Sequence, residues 1–162
     1  MQRNTWTTAI LLWFGLWGCS IPQNPSTIDG PVSMFTQTIP QDIQDKMSVQ
    51  ELAWSNGDVE TFMSAAYAPS DSLLFIGSRG LTLGFEKVLS NYRDNYPTGD
   101  AMGELTFKNM FWKPLGSEHG LLVGSWHLMR GEGFEDLEGH YSLIWQFIEA
   151  DGEWQIVADH SS

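Results

Sequence analysis

The chain has 162 residues, a length that suits one domain, and 42% of them are hydrophobic, enough to bury a core. Its 20 acidic residues outnumber 8 basic ones, which gives a formal net charge of -12. Nucleic-acid binding depends on Lys and Arg neutralising phosphates, so this balance excludes DNA and RNA as partners. The negative charge itself favours solubility and says little about the fold.

The first forty residues have the composition of an export signal followed by a tether. A single charged residue precedes an apolar run from Ala9 to Trp17, which is too short to span a membrane as a helix. The run ends in Leu16-Trp17-Gly18-Cys19, which resembles the lipobox of bacterial lipoproteins, where the cysteine is lipidated and becomes the N-terminus. We therefore predict a signal peptide over 1–18, then a lipidated Cys19 and a flexible, proline-rich tether over 19–40.

Cys19 is also the only cysteine, so no intrachain disulfide can form and the core must supply the stability. The resemblance implies an exported protein that faces the periplasm or cell surface and touches the membrane only through its lipid anchor. Ser20 follows the cysteine, which by the same resemblance implies no retention at the inner membrane. An ordinary cleaved signal and an uncleaved anchor are the alternatives.

Two segments with helical periodicity open the remaining chain. The first runs from about Asp42 to Ser55 and ends at Asn56-Gly57. Its apolar side consists of Ile43, Met47, Leu52 and Ala53. The second is short and begins after Asp58, whose side chain can cap it. Its apolar stripe consists of Val59, Phe62, Met63, Ala66 and Tyr67.

A short strand pair and a third helix follow Pro69. The strands are predicted over Leu73–Ile76 and Leu81–Leu83, and the helix over Phe85–Tyr96. Four longer strands complete the chain: Glu104–Trp112, His119–Arg130, Gly139–Glu149 and Glu153–His160. Helices first and a long meander afterwards predict an α+β domain over 41–162, with a cone-shaped curved antiparallel sheet wrapped around three N-terminal helices.

The turn signal Asp151-Gly152 predicts a register for the last two strands. It places Ala150 opposite Glu153 and Leu143 opposite His160. Pairing Arg130 with Gly139 extends the register to the preceding strand. One face of the sheet then carries Gly124, Trp126, Leu128, Arg130, Tyr141, Leu143, Trp145, Phe147, Trp154, Ile156 and His160. We expect the helices to cover this aromatic face; Asp159 would join it only if a bulge shifted the last strand by one residue.

The ordered motifs resemble the nuclear transport factor 2-like superfamily, in its SnoaL-like and ketosteroid-isomerase-like branch. They are Trp54-Ser55-Asn56-Gly57-Asp58, Gly84 with Glu86, Gly124-Ser125-Trp126, Gly139-His140-Tyr141 and the terminal segment Trp154 to Ser162. The resemblance covers about residues 41–162. It implies a cone whose mouth is often a ligand pocket, and dimerisation through the outer sheet face. Members include isomerases, cyclases, dehydratases and assembly domains, so the fold does not give the function.

Polar residues on the predicted inner face are the candidate site. We predict His160, Tyr92 and Tyr141 as catalytic candidates: His160 as general acid or base, and either tyrosine as hydrogen-bond donor to an oxyanion. Trp126, Arg130 and Tyr67 are the ligand-binding candidates. Arg130 can hold a carboxylate. Proton-transfer members of the branch use an acidic base, and this face carries none in the predicted register.

Four of the six candidates, His160, Tyr92, Tyr141 and Arg130, also have a structural explanation. Asp159-His160 can tie the last strand to the first helix, and both tyrosines can be core residues with satisfied hydroxyls. Arg130 can balance charge in the loop over 131–138. The four histidines lack metal-ligand spacing and no phosphate-binding glycine motif precedes a helix, so we expect no metal and no cofactor.

The leading functional prediction is a lipid-anchored protein that binds a small apolar or amphipathic molecule. One alternative is an isomerase, cyclase or dehydratase that works by proton transfer. Another is a ligand-free assembly module that forms a homodimer through the outer sheet face, where Val123, Met129, Ile144, Ile148 and Val157 provide an apolar surface.

Overall fold

Residues 38–162 are described by the structure, which is a computed structural model. The predicted signal peptide, Cys19 and nearly all of the predicted tether lie outside the described residues. The helices are α1 (Gln41–Ser55), α2 (Val59–Ala66), α3 (Phe85–Asn95) and α4 (Gly99–Met102). The strands are β1 (Leu74–Gly77), β2 (Gly80–Leu83), β3 (Glu104–Pro114), β4 (His119–Met129), β5 (Leu137–Ile148) and β6 (Glu153–Ser161).

The six strands form one curved, open sheet in the order β2-β1-β6-β5-β4-β3. This confirms the predicted α+β fold with helices N-terminal to a meander. The pairings are antiparallel except that β1 lies parallel to β6, which places the short first hairpin beside the last strand. The one helix that the sequence did not predict is the single turn α4, capped by Thr98.

Helix α1 packs one side against the rest of the domain, as predicted. Ile43, Met47 and Ala53 are buried, and Gln50 joins them, its amide donating to the carbonyl oxygen of Phe62 at 3.0 Å. The prediction for Leu52 is wrong, because its side chain is 65% exposed. At 100° per residue, nine positions after Ile43 bring Leu52 to the opposite side of the helix.

The β5–β6 pair differs from the predicted register. The turn takes four residues, so Ile148 rather than Ala150 lies opposite Glu153, and Trp145 lies opposite Ile156. Ile144 then pairs with Ala158, which leaves Val157 as an extra residue, a β-bulge. Beyond the bulge every side chain of β6 changes face relative to a regular strand.

The β4–β5 register is also shifted, by four residues. Gly124 pairs with Tyr141 and Trp126 with Gly139, because the loop closes early. The backbone N–H of Arg130 donates to the carboxylate of Asp136 at 2.9 Å and ends β4. An even shift keeps each side chain on its face, so the predicted inner face of β4 and β5 is confirmed despite the wrong pairs.

The most completely buried side chains lie on α1, α2, the middle of β4 and the hairpin end of β5 and β6. Ile43, Met63, Leu122, Trp145 and Ile156 are all 0% exposed there. None of the helices in residues 38–162 is long and apolar enough to cross a membrane.

Candidate functional site

A cavity of about 600 Å³ lies between the helices and the inner face of the sheet. Its deep end is lined by buried residues such as Met47, Val88 and Leu143. Exposed residues mark its mouth, at the β1–β2 turn, the end of α3 and the start of β5. They include Arg79, Asp94 and Glu138. The volume is in the range of small-molecule sites.

Nine aromatic side chains line the cavity; among them are Trp54, Phe62, Phe75, Tyr92, Tyr96 and Trp126. Tyr92 is at the centre of this group, with ring centroids 5.5 Å from Trp54 and from Phe62 and 5.7 Å from Phe75, all edge to face. Such pairs stabilise one another beyond the area they bury. These rings form an apolar part of the cavity wall.

Asp159 is the buried acidic group of the cavity, with 2% of its surface exposed. Its carboxylate accepts hydrogen bonds from the Tyr67 hydroxyl and the Ser161 hydroxyl, both at 2.6 Å. Within residues 38–162 no Lys, Arg or His nitrogen lies within 4.0 Å of it. Burial raises the pKa of Asp159 to about 6, and the two hydroxyl donors only partly oppose that shift.

The bulge at Val157 is what turns Asp159 inward. Before the bulge β6 pairs with Tyr67, and Ala68 donates its N–H to the carbonyl of Ile156 at 2.9 Å. After the bulge, Phe75 of β1 lies beside Asp159. The chain that follows α2 therefore brings the Tyr67 hydroxyl to the carboxylate that the bulge exposes to the cavity.

Two further tyrosines line the same cavity. Tyr92 lies next to the Tyr67 hydroxyl, and burial raises the pKa of both phenols well above the usual value. The Tyr141 hydroxyl donates to the side-chain oxygen of Asn109 at 2.5 Å, and burial raises its pKa as well. A Cβ at Gly124 would lie 2.2 Å from that hydroxyl, so only glycine leaves room for the Tyr141 ring.

The structure brings together four of the six predicted site residues: Tyr67, Tyr92, Trp126 and Tyr141 all line the cavity. Their roles stay predictions. The placement of His160 is wrong: it lies opposite Ser142, is exposed and does not line the cavity, because the bulge reverses its face.

The placement of Arg130 in the pocket is also wrong. Its Nε donates to the carbonyl of Glu135 at 2.5 Å and its guanidinium lies over the ring of Phe134. These contacts hold it in the loop after β4, through a backbone carbonyl and a ring rather than through the ion pairs that charge balance would use. Arg79, which the sequence did not suggest, lines the mouth instead; among the described residues it forms no ion pair or side-chain hydrogen bond.

Sequence reasoning named Asp159 only as the outcome of a bulge. The sequence does contain a signal for an ionisable group in the cavity. Asp159 and His160 are neighbours on the last strand and point to opposite faces, so one of them faces the aromatic residues in either register. The cavity lining also holds a buried donor, the Trp126 indole N–H, which has no hydrogen-bond partner among the described residues. Those residues also contain no group of three His, Cys, Asp or Glu side chains arranged to hold a metal.

The curved sheet, the helices on its inner face and the cavity between them define a class of small α+β domains, and solved structures share the fold. An NTF-2 like protein of unknown function from Shewanella oneidensis MR-1 is 31% identical, with a TM-score of 0.69 over 75% of this chain and 97% of that one. The chain therefore belongs to the nuclear transport factor 2-like family.

More distant structures show the fold alone. An NTF2-like superfamily protein from Salmonella enterica serovar Typhimurium LT2 is 20% identical, with a TM-score of 0.57 over 75% of this chain and 88% of that one. A ketosteroid isomerase-like protein from Erwinia carotovora atroseptica SCRI1043 is 12% identical, with a TM-score of 0.58 over 75% and 93%. No protein-family model and no curated protein matches the chain.

Proposed function

We propose that the cavity binds a small apolar or amphipathic molecule. The observation that carries this proposal is a cavity of about 600 Å³ walled by aromatic rings, with the Asp159–Tyr67 hydrogen bond at its polar side. An apolar cavity with a few convergent polar groups is the usual form of a small-molecule site.

Native mass spectrometry of the full chain, purified gently from its own host, tests the proposal. The expected result is a reproducible additional small mass that is lost or reduced in Trp126→Ala. A matched control is Trp112→Ala, because Trp112 packs on Gly120 outside the cavity lining. An unoccupied protein in every preparation, with no uptake of added apolar compounds, would contradict the proposal.

Proton-transfer catalysis, of the isomerase, cyclase or dehydratase type, is the second candidate, and Asp159 favours it. A carboxyl with a pKa of about 6 can act as general base near neutral pH, and the Tyr92 hydroxyl can donate to a developing oxyanion. The Tyr67 hydroxyl already donates to Asp159 and would hold the base in place. This assignment replaces His160 with Asp159, and it agrees with the ketosteroid-isomerase-like branch. The test is exchange of the α-proton of an added ketone. We expect Asp159→Asn to lose this exchange and His160→Ala to retain it.

We also propose that Cys19 is lipidated and anchors an exported protein to a membrane, facing the periplasm or cell surface. The short apolar run and the lipobox-like Leu16-Trp17-Gly18-Cys19 support this. Mass spectrometry of the mature N-terminus is expected to show a diacylated cysteine, and Cys19→Ser to abolish processing. A mature chain that starts elsewhere without lipid would contradict it.

A homodimer through the outer sheet face is the remaining proposal, and it also serves the assembly alternative. Phe111, Leu121, Val123 and Ile144 are neighbours on that face across β3, β4 and β5, and Phe111 is 57% exposed. A contiguous apolar patch of this kind is typical of an interaction surface. Ile144→Asp is expected to yield monomers in analytical ultracentrifugation; an unchanged mass would exclude this interface.

A further inference from the structure

The charge inside the cavity is unbalanced. Asp159 is buried and its hydrogen-bond partners are two neutral hydroxyls, and within residues 38–162 no Lys, Arg or His nitrogen lies within 4.0 Å of it. Buried carboxylates are normally paired with a positive group, because an isolated buried charge is costly. Asp159 lines the cavity, so a positive group bound there would lie beside the carboxylate.

The other charged side chains of the cavity lining are also mostly acidic. Asp94 and Glu138 line the mouth, so the cavity lining holds three carboxylates and one guanidinium, that of Arg79. Arg79 is exposed in the β1–β2 turn, four residues beyond the Phe75 that neighbours Asp159, a chain length of up to ~13 Å. Among the described residues Arg79 forms no ion pair with Asp159, and the chain's net charge of -12 attracts cations.

The aromatic wall suits a positive group as well. Rings attract a cation over their faces, Trp and Tyr most of all, and the attraction grows when the cation is desolvated. Tyr92 stands beside the Tyr67–Asp159 pair, and its ring lies 5.5 Å from Trp54. A group placed next to Asp159 would thus touch both a carboxylate and aromatic faces.

We propose that the ligand is an organic cation, a small amine whose ammonium group pairs with Asp159 and whose hydrocarbon part packs in the aromatic cavity. This rests on the proposed binding function and names the ligand class. A neutral apolar compound would fill the same volume but leave the buried carboxylate without its partner.

The test compares three ligands with one ring and different charge: 2-phenylethylamine, 2-phenylethanol and 3-phenylpropanoate. Equilibrium dialysis against the full chain at pH 8 is expected to give at least tenfold tighter binding of the amine than of the alcohol, and the weakest binding for the carboxylate. Asp159→Asn is expected to remove the preference for the amine while changing the affinity for the alcohol less than threefold.

Asp151→Asn is the matched control, since it removes an exposed carboxylate in the β5–β6 turn, outside the cavity. It should leave all three affinities unchanged. Circular dichroism of each variant checks that it is folded. Equal or tighter binding of the alcohol overturns the inference, as does an amine affinity that Asp159→Asn leaves unchanged; in both cases bound alcohol would still support the proposed function.

A pH series adds a signature that packing alone would not produce. The amine needs the ionised carboxylate, so its affinity should be full at pH 8 and decline below about pH 6, where free Asp159 takes up a proton. The groups that face Asp159 are Tyr67, Tyr92 and Tyr141, whose raised phenol pKa values keep them neutral, and the adjacent His160. A positive charge on His160 lowers the pKa of Asp159, so His160→Gln should keep the decline in affinity and move it to higher pH. A flat profile in the unaltered chain would overturn the inference.

Discussion

The two ends of the β5–β6 pair are equally buried and chemically opposite. On the hairpin side Trp145 lies opposite Ile156, both 0% exposed, within a close-packed apolar core. Beyond the bulge at Val157, Leu143 lies opposite Asp159, a carboxyl that is 2% exposed and faces a cavity. One extra residue in β6 thus separates a region that stabilises the fold from a region that gives up stability to hold a polar group.

The largest expected effect breaks the packed end. Trp145→Ala should lower the free energy of unfolding by about 3–5 kcal/mol, because it leaves a cavity in a fully buried site. Urea unfolding followed by circular dichroism measures it. Trp126→Ala is the comparison at the other end, with a smaller loss because its ring already borders a cavity. Equal losses would mean that both ends contribute equally to stability.

The next effect is expected at the cavity end, where a substitution should raise the free energy of unfolding rather than lower it. The pKa of Asp159 is raised from 3.8 to about 6, so between these values the folded state binds more protons than the unfolded state. The contribution of this carboxyl to stability is then full below about pH 4 and is lost as pH rises through about 6, by about 3 kcal/mol in all. Asp159→Asn should remove this loss and make the protein more stable at pH 8.

Urea unfolding at pH 4 and pH 8 checks this expectation, and Asp151→Asn in the exposed turn provides the control. The control should follow the unaltered protein at both pH values. A lower stability of Asp159→Asn at pH 8 would contradict this expectation. The ionised carboxylate would then stabilise the folded protein, which requires a cation that compensates its burial.

The third effect concerns the hydrogen bond that holds the acid. Tyr67→Phe removes the hydroxyl that donates to Asp159, so the pKa of the carboxyl should rise above 6. Carbon-13 NMR of the carboxyl during a pH titration measures the change. Tyr141→Phe is the matched control, since that hydroxyl donates to Asn109 instead. If Tyr141→Phe raised the pKa of Asp159 more than Tyr67→Phe does, Tyr141 rather than Tyr67 would be the tyrosine that stabilises the carboxylate.

Helices and faces could be predicted from the sequence because they follow local periodicity. The stripe from Val59 to Tyr67 is buried as expected, and Asp58 caps α2 by accepting a hydrogen bond from the N–H of Thr61 at 2.9 Å. The faces of β4 and β5 survived a four-residue error in pairing, because side chains alternate with period two.

The site depended on features that a local pattern does not contain. The bulge at Val157 arises where β6 changes neighbour, from the Tyr67–Ala68 segment to β1. Each residue of β1 lies 84 positions before its partner in β6, as Leu74 does before Ala158. This one added residue exchanges the faces of Asp159 and His160. The sequence therefore predicts the cavity tyrosines correctly, but it predicts His160 in the position that Asp159 occupies. Arg130 was misplaced because its loop closes on Asp136, a contact of tertiary structure.

The smallest expected effect provides the sharpest test of that inversion. His160→Ala alters an exposed side chain on the outer face, so stability should change by less than about 0.5 kcal/mol. Ligand uptake should also be unchanged, in contrast to Asp159→Asn one residue away. Thermal unfolding and dialysis of the two variants side by side measure both quantities. Loss of uptake in His160→Ala with retention in Asp159→Asn would require a β6 without its bulge, since only a regular strand turns His160 toward the cavity.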